Sequence, residues 1–143
     1  MITQTQAQDR LDAYRRALER LDTDLAVSLY AEDAEIRDDP FEPSMTGSLG
    51  IRARWNAMAA SRVHVELEIE RSWVSGSTVI AAWHGASTTR ATGERLRRRG
   101  VTTFDLDPAG LIARERTWAH ERTVGVDSTW APEPAPDSRT GAP

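Results

Sequence analysis

Apolar positions in the first sixty residues recur at intervals of three and four. Leu11, Tyr14, Leu18 and Leu21 fall on one helical face with Arg and Asp between them, which predicts an amphipathic helix over 6–21. Asp22 stands where an N-cap would open a second, short helix through Leu25, Leu29 and Tyr30. A short extended piece over 34–38 follows and ends at Pro40. The segment Asp39-Pro40-Phe41-Glu42-Pro43 is not regular helix, because proline lacks the N–H that a helix interior needs. Gly47-Ser48 then opens a third helix, with Ser48 as candidate cap and Ile51, Trp55 and Met58 as its buried stripe.

Beyond Ser61 the period falls to two. Val63, Val65, Leu67 and Ile69 alternate with His64, Glu66, Glu68 and Glu70, the pattern of a half-buried strand. A turn at Ser75-Gly76-Ser77 leads to a second strand over 78–90, and a turn at Ala91-Thr92-Gly93-Glu94 to a third over 95–107. Asp107-Pro108-Ala109-Gly110 is a strong turn signal before a fourth strand over 111–121. Long strands joined by short turns form an antiparallel meander. Helices first and sheet afterwards predict an α+β fold rather than a parallel βαβ fold. Residues 122–143 hold four of the seven prolines, so the domain is expected over 1–121 and a disordered tail over 122–143. Val124, Val126 and Trp130 are the residues that would pin the start of that tail.

Composition narrows the chemistry. A chain of 143 residues suits one domain. With no cysteine, disulfides, thiolate metal sites and a cysteine nucleophile are excluded. All 18 basic residues are arginine, which excludes a lysine Schiff base. A net charge of −4 argues against nucleic acid as partner. The polar N-terminus lacks a signal-peptide pattern, and no stretch nears the ~20 apolar residues of a membrane span, so a cytoplasmic protein is expected. No glycine-rich phosphate loop follows a strand, and His64, His84 and His120 form no metal motif, so neither cofactor nor metal is expected.

The stretches ALERLDTDLAVSLYAEDAEIRDDP, TGSLGIRARW and FDLDPAGLIARERTWAH resemble the ketosteroid isomerase and SnoaL-like polyketide cyclase group of the nuclear transport factor two-like superfamily, over about residues 8–121. The resemblance implies a cone-shaped α+β barrel, in which three N-terminal helices close a pocket wrapped by a strongly curved antiparallel sheet. Members include isomerases, cyclases, dehydratases and epoxide hydrolases beside non-catalytic binders, so the fold alone does not decide function.

The resemblance also nominates residues. The general-base aspartate of the isomerases falls at Asp39 or its neighbour Asp38, the strand carrying one extra residue here. A carboxylate at the rim of an apolar pocket can take a proton from carbon beside a carbonyl; the plainer account is a pair of turn residues before proline. The oxyanion tyrosine falls at Tyr14, a phenol able to stabilise a developing enolate, although Tyr14 also completes an apolar stripe. The second oxyanion donor of the isomerases, a protonated aspartate, is Thr102 here, and the glutamate of polyether epoxide hydrolases is Val65; both changes argue against those two reactions. Alignment turns Ile80, Ala82, His84 and Ala86 inward, whereas strand parity leaves Val79, Ala81 and Trp83 equally apolar. Glu115, Thr117 and Ala119 are expected to face inward, and Arg114, Arg116, Trp118 and His120 outward. His84 is a candidate catalyst or a structural histidine, and Arg54 and Glu115 a candidate buried ion pair. Phe41, Trp55 and Ile80 are candidates for the apolar wall. The runs Arg95 to Arg99 and Glu66/Glu68/Glu70 read as a solvated sheet face, and the face bearing Trp118 as a homodimer surface.

The expected function is a cofactor-independent isomerase, cyclase or dehydratase of secondary metabolism, acting by acid–base catalysis on an apolar carbonyl compound. The alternative is a non-catalytic ligand-binding or dimerisation module.

Overall fold

Thr3 starts the first helix. In the computed structural model, which describes residues 2–130, its hydroxyl accepts from Gln6 N and the Gln6 side chain accepts from Thr3 N, a reciprocal capping box. Helix α1 therefore spans Gln4–Arg20 and ends on Leu21 in the left-handed conformation. Asp22 caps α2 (Thr23–Ser28) as expected, accepting from Leu25 N at 3.0 Å. Strand β1 (Tyr30–Arg37) begins four residues earlier than the sequence pattern suggests, because Tyr30 pairs with the start of the last strand. A two-residue β2 (Met45–Thr46) precedes α3 (Gly47–Ser61). Ser48 does not cap α3; Thr46 takes the cap position and the Ser48 hydroxyl donates to Glu32 O.

Four long strands follow: β3 (Arg62–Ser75), β4 (Thr78–Thr89), β5 (Glu94–Leu106) and β6 (Ile112–Val126). They form one curved sheet in the order β2-β1-β6-β5-β4-β3. Every neighbouring pair is antiparallel except β1 with β6, which run parallel. Two irregularities in β3, between Val63 and Glu66 and between Ile69 and Arg71, bend its pairing with β4. Such bulges increase local twist and let a sheet wrap. His64 lies in the first of them with a left-handed φ of 51°, held where Arg95 donates to its carbonyl and Asp127 meets its ring.

The three helices lie on the concave side. Leu11 from α1, Ile51 and Trp55 from α3, and Phe104 and Ile112 from β5 and β6 are buried together. Burying one such side chain stabilises the fold by roughly 1.5–3 kcal/mol.

Two further sequence expectations change. Over 79–84 of β4 the buried residues are Val79, Ala81 and Trp83, and Ile80, Ala82 and His84 are half-exposed, so the inward face there is the opposite of the one chosen by alignment, whereas Ala86 does face the concave side as expected. The boundary at 121 falls inside β6: Arg122, Thr123, Gly125 and Val126 pair with β5. Past the strand, Asp127 accepts a 2.5 Å bond from the buried Thr88 hydroxyl, and Trp130 Nε1 donates to Arg90 O. The remaining tail, 131–143, lies outside the described residues.

Candidate functional site

A cavity of about 430 Å³ opens between α1, α3 and the concave sheet face. Most of its wall is apolar, from residues such as Leu18, Trp55, Met58, Ile69, Trp83 and Phe104. Its polar corner holds Asp38, Arg54 and Tyr14.

Each of these is placed by an ordinary local rule. Ile36 on β1 is 2% exposed and faces the core; Asp38, two residues on, shares its side of the chain because strand faces repeat every second residue. Arg54 lies on α3 three residues after the buried Ile51. Its Nη2 sits 2.5 Å from Asp38 Oδ2. Tyr14 lies on the inner face of α1 and packs edge-on against Trp55 and Phe104, with ring centroids 5.8 and 5.0 Å away.

Glu115 does not line the cavity but reaches it through Tyr14. Its carboxylate is 1% exposed and accepts from Tyr30 Oη at 2.6 Å and from Tyr14 Oη at 3.3 Å. Burial raises its pKa to about 7, against the lowering effect of the Arg54 charge and the two tyrosine hydrogen bonds. Tyr14 and Tyr30 are both held well above the usual phenol value, by burial first and by the Glu115 charge second, so both stay protonated donors. Burial works against the Arg54 charge, but Asp38 and then Glu115 outweigh it and raise its pKa. Arg54 Nε and Trp55 Nε1 are buried without a hydrogen-bond partner among the described residues.

The remaining candidates divide. Thr102 lines the cavity, but its hydroxyl is engaged by Trp83 Nε1 at 2.8 Å and Thr117 Oγ1 at 2.9 Å. Trp55 is a wall residue as expected. Asp39 is exposed and accepts from Phe41 N at 2.9 Å, an Asx turn outside the cavity. Phe41 is 93% exposed, because the proline-bounded segment carries it away from the core. Ile80 and His84 belong to the outer face of β4, where His84 contacts Glu70 at 2.7 Å and Glu68 at 3.1 Å. Arg54 and Glu115 form no ion pair; Arg54 pairs with Asp38, and two tyrosines hold Glu115.

Tyr30 was legible only as an apolar helix residue and Arg98 only as part of the charged run 95–99, while Arg62, which also lines the cavity, stood out by no pattern at all. Strand parity is the signal for Arg98, which shares its side of β5 with Thr102 and Phe104.

A sequence model of the SnoaL-like domain matches residues 11–115. The chain belongs to the SnoaL-like family. No curated protein matches this SnoaL-like chain at a significant level by sequence. Among solved structures it is similar to the epoxide hydrolase/cyclase-like enzyme SalBIII of salinomycin pyran formation, with 22% identity, a TM-score of 0.76, and coverage of 88% of this chain and 99% of that one. RV0760c from Mycobacterium tuberculosis is 20% identical with a TM-score of 0.72, over 85% of this chain and 100% of the other. A protein with a ketosteroid isomerase-like fold from Catenulispora acidiphila, solved with trimethylamine, is 15% identical with a TM-score of 0.70, over 77% of this chain and 84% of that one. At these identities the likeness establishes the shared cone fold of the SnoaL-like protein.

Proposed function

We propose that this SnoaL-like protein is a cofactor-independent enzyme that isomerises, cyclises or dehydrates a mostly apolar carbonyl compound. One observation carries the reading: a carboxylate, a guanidinium and a phenol converge at one corner of an otherwise apolar cavity. Asp38 takes a proton from the carbon beside the carbonyl, and the same carboxylic acid returns it at another carbon. Arg54 holds Asp38 in place. Tyr14 stabilises the enolate oxygen by hydrogen bonding.

Tyr14 has one proton, and with Glu115 ionised that proton is directed to the carboxylate at 3.3 Å. A neutral Glu115 reverses the arrangement: its acid proton goes to the Tyr14 oxygen and the Tyr14 hydroxyl turns to the substrate. The raised pKa of Glu115, about 7, supports this relay near neutrality. The engaged hydroxyl of Thr102 supports a reaction other than steroid isomerisation.

A second reading, a non-catalytic ligand binder, is favoured by the direct Asp38–Arg54 pair, which leaves each charge already partnered. The two readings separate in heavy water. Incubated with a panel of cyclic and aryl ketones, an enzyme exchanges protons next to the carbonyl for deuterium, visible by NMR; a binder shifts resonances without exchange. No exchange with any ketone that binds would remove the enzyme reading.

The proposal extends to setting: a cytoplasmic homodimer in secondary metabolism. Among the described residues no helix is long and apolar enough to cross a membrane. Trp118 and Val101, paired across β6 and β5 on the outer sheet face, are 45% and 37% exposed, which supports a partner there.

A further inference from the structure

Two arginines line the cavity far from its polar corner. Arg62 follows the end of α3, eight residues beyond Arg54. At the rise of a helix that is ~12 Å away. Arg98 lies on β5 four residues from Thr102 and six from Phe104, the ring that packs on Tyr14. At the rise of a strand Arg98 is ~13 Å from Thr102. The two displacements meet, because both guanidiniums approach the same carboxylate oxygen, Glu121 Oε1, at 3.8 and 4.0 Å.

Those contacts are too long for hydrogen bonds. Arg62 gives one donor to Thr89 Oγ1 at 2.9 Å. Arg98 lies over the Trp83 ring, 5.6 Å from its centroid, and makes no side-chain hydrogen bond among the described residues. The other acid at this end, Glu66, is 3.1 Å from Arg95. Two cavity-lining cations thus share one loosely placed anion. Guanidinium groups in that position suit a planar oxyanion, which they grip with paired donors.

We infer that this end of the cavity is a subsite for a carboxylate, so the ligand is an elongated, mostly apolar compound with its reacting carbonyl at Tyr14 and an acidic group at the opposite end, where the backbone of Arg62 lies ~12 Å from that of Arg54. The inference rests on the cavity being the ligand site proposed above and adds the ligand's charge and polarity. Arg98, fixed on Trp83, and Arg62, fixed on Thr89, hold the acid; Glu121 occupies the position when no ligand is bound and opposes one that enters.

The test compares 6-(2-naphthyl)hexanoate with its uncharged primary amide, binding to the full chain by calorimetry at one fixed ionic strength. The acid is expected to bind at least ~10-fold tighter, the scale of a charge-assisted hydrogen bond. Arg62→Gln and Arg98→Gln each bring the ratio towards one, because the acid loses more affinity than the amide when a charged donor is removed. Glu121→Gln widens the ratio, which loss of a merely structural contact would not do. Equal binding of acid and amide, or an acid preference untouched by both arginine variants, overturns the inference and leaves the cavity reading intact. Binding of neither probe at millimolar concentration overturns both. Preserved acid preference without proton exchange on any ketone removes the enzyme reading and leaves the subsite standing.

Discussion

The Tyr30 hydroxyl donates to Glu115 Oε1 at 2.6 Å, joining the start of β1 to the first part of β6 across 85 residues of sequence. Tyr14, which lines the cavity, donates to the same carboxylate from α1 at 3.3 Å. A carboxyl so enclosed makes the stability of the whole domain depend on pH.

Glu115 has a folded-state pKa of about 7, above its ordinary 4.5. An acid with a raised pKa stabilises the fold in its neutral form. The contribution is therefore full below pH 4.5 and is lost as pH rises through about 7. The interval corresponds to about 3 kcal/mol. Chemical denaturation of the wild type at pH 5 and pH 8 should show the loss, and Glu115→Gln should flatten it while raising stability at pH 8. An unchanged pH slope in the variant would contradict the assignment.

Tyr30→Phe removes the shorter of the two bonds and leaves a buried carboxylate oxygen without its donor. The expected cost is about 1–3 kcal/mol, larger at pH 8 than at pH 5 because the ionised acid needs the donor more. Tyr14→Phe, which removes a 3.3 Å bond, should cost less stability. Denaturation midpoints of the two variants, measured side by side, decide the order.

The order and number of long elements were legible in the sequence because each rests on a local rule. Leu11, Tyr14 and Leu18 mark a helix by spacing, Asp22 by capping, and Gly76 and Gly110 mark turns where φ is positive. Faces were harder. Val79, Ala81 and Trp83 are no more apolar in pattern than Ile80 and Ala82, so only the three-dimensional packing turned His84 outward. The Asp38/Asp39 choice turned on the same two-residue period, counted from Ile36. Arg98 was hidden by its charged neighbours, since a cavity-lining arginine and a solvated one look alike in a run. The Tyr30–Glu115 bond depends on a parallel pairing of first and last strands, which nothing local announces.

Asp127 joins the end of the described chain to two strands at once, through Thr88 on β4 and the His64 ring on β3. Asp127→Ala leaves the Thr88 hydroxyl, itself fully buried, without that partner. A lower melting temperature is expected, with stronger protease cleavage between Glu121 and Trp130. A melt identical to wild type would show that this clasp does not hold the end of β6.

Trp118 and Val101 form an exposed apolar pair on the outer sheet face. Light scattering is expected to give the mass of a dimer at micromolar concentration, and Trp118→Glu that of a monomer with its fold retained by circular dichroism. A wild-type monomer at that concentration would dismiss the dimer.

The most direct measurement of the proposed mechanism is the rate of deuterium incorporation beside the carbonyl of a bound ketone, compared between Asp38→Asn and Asp39→Asn. The two residues are adjacent in sequence and differ in placement: Asp38 meets Arg54 in the cavity and Asp39 closes a turn outside it. The account predicts a fall of ~10²-fold or more for Asp38→Asn, the usual contribution of a general base, and a wild-type rate for Asp39→Asn. A wild-type rate for Asp38→Asn, or a loss confined to Asp39→Asn, would contradict it.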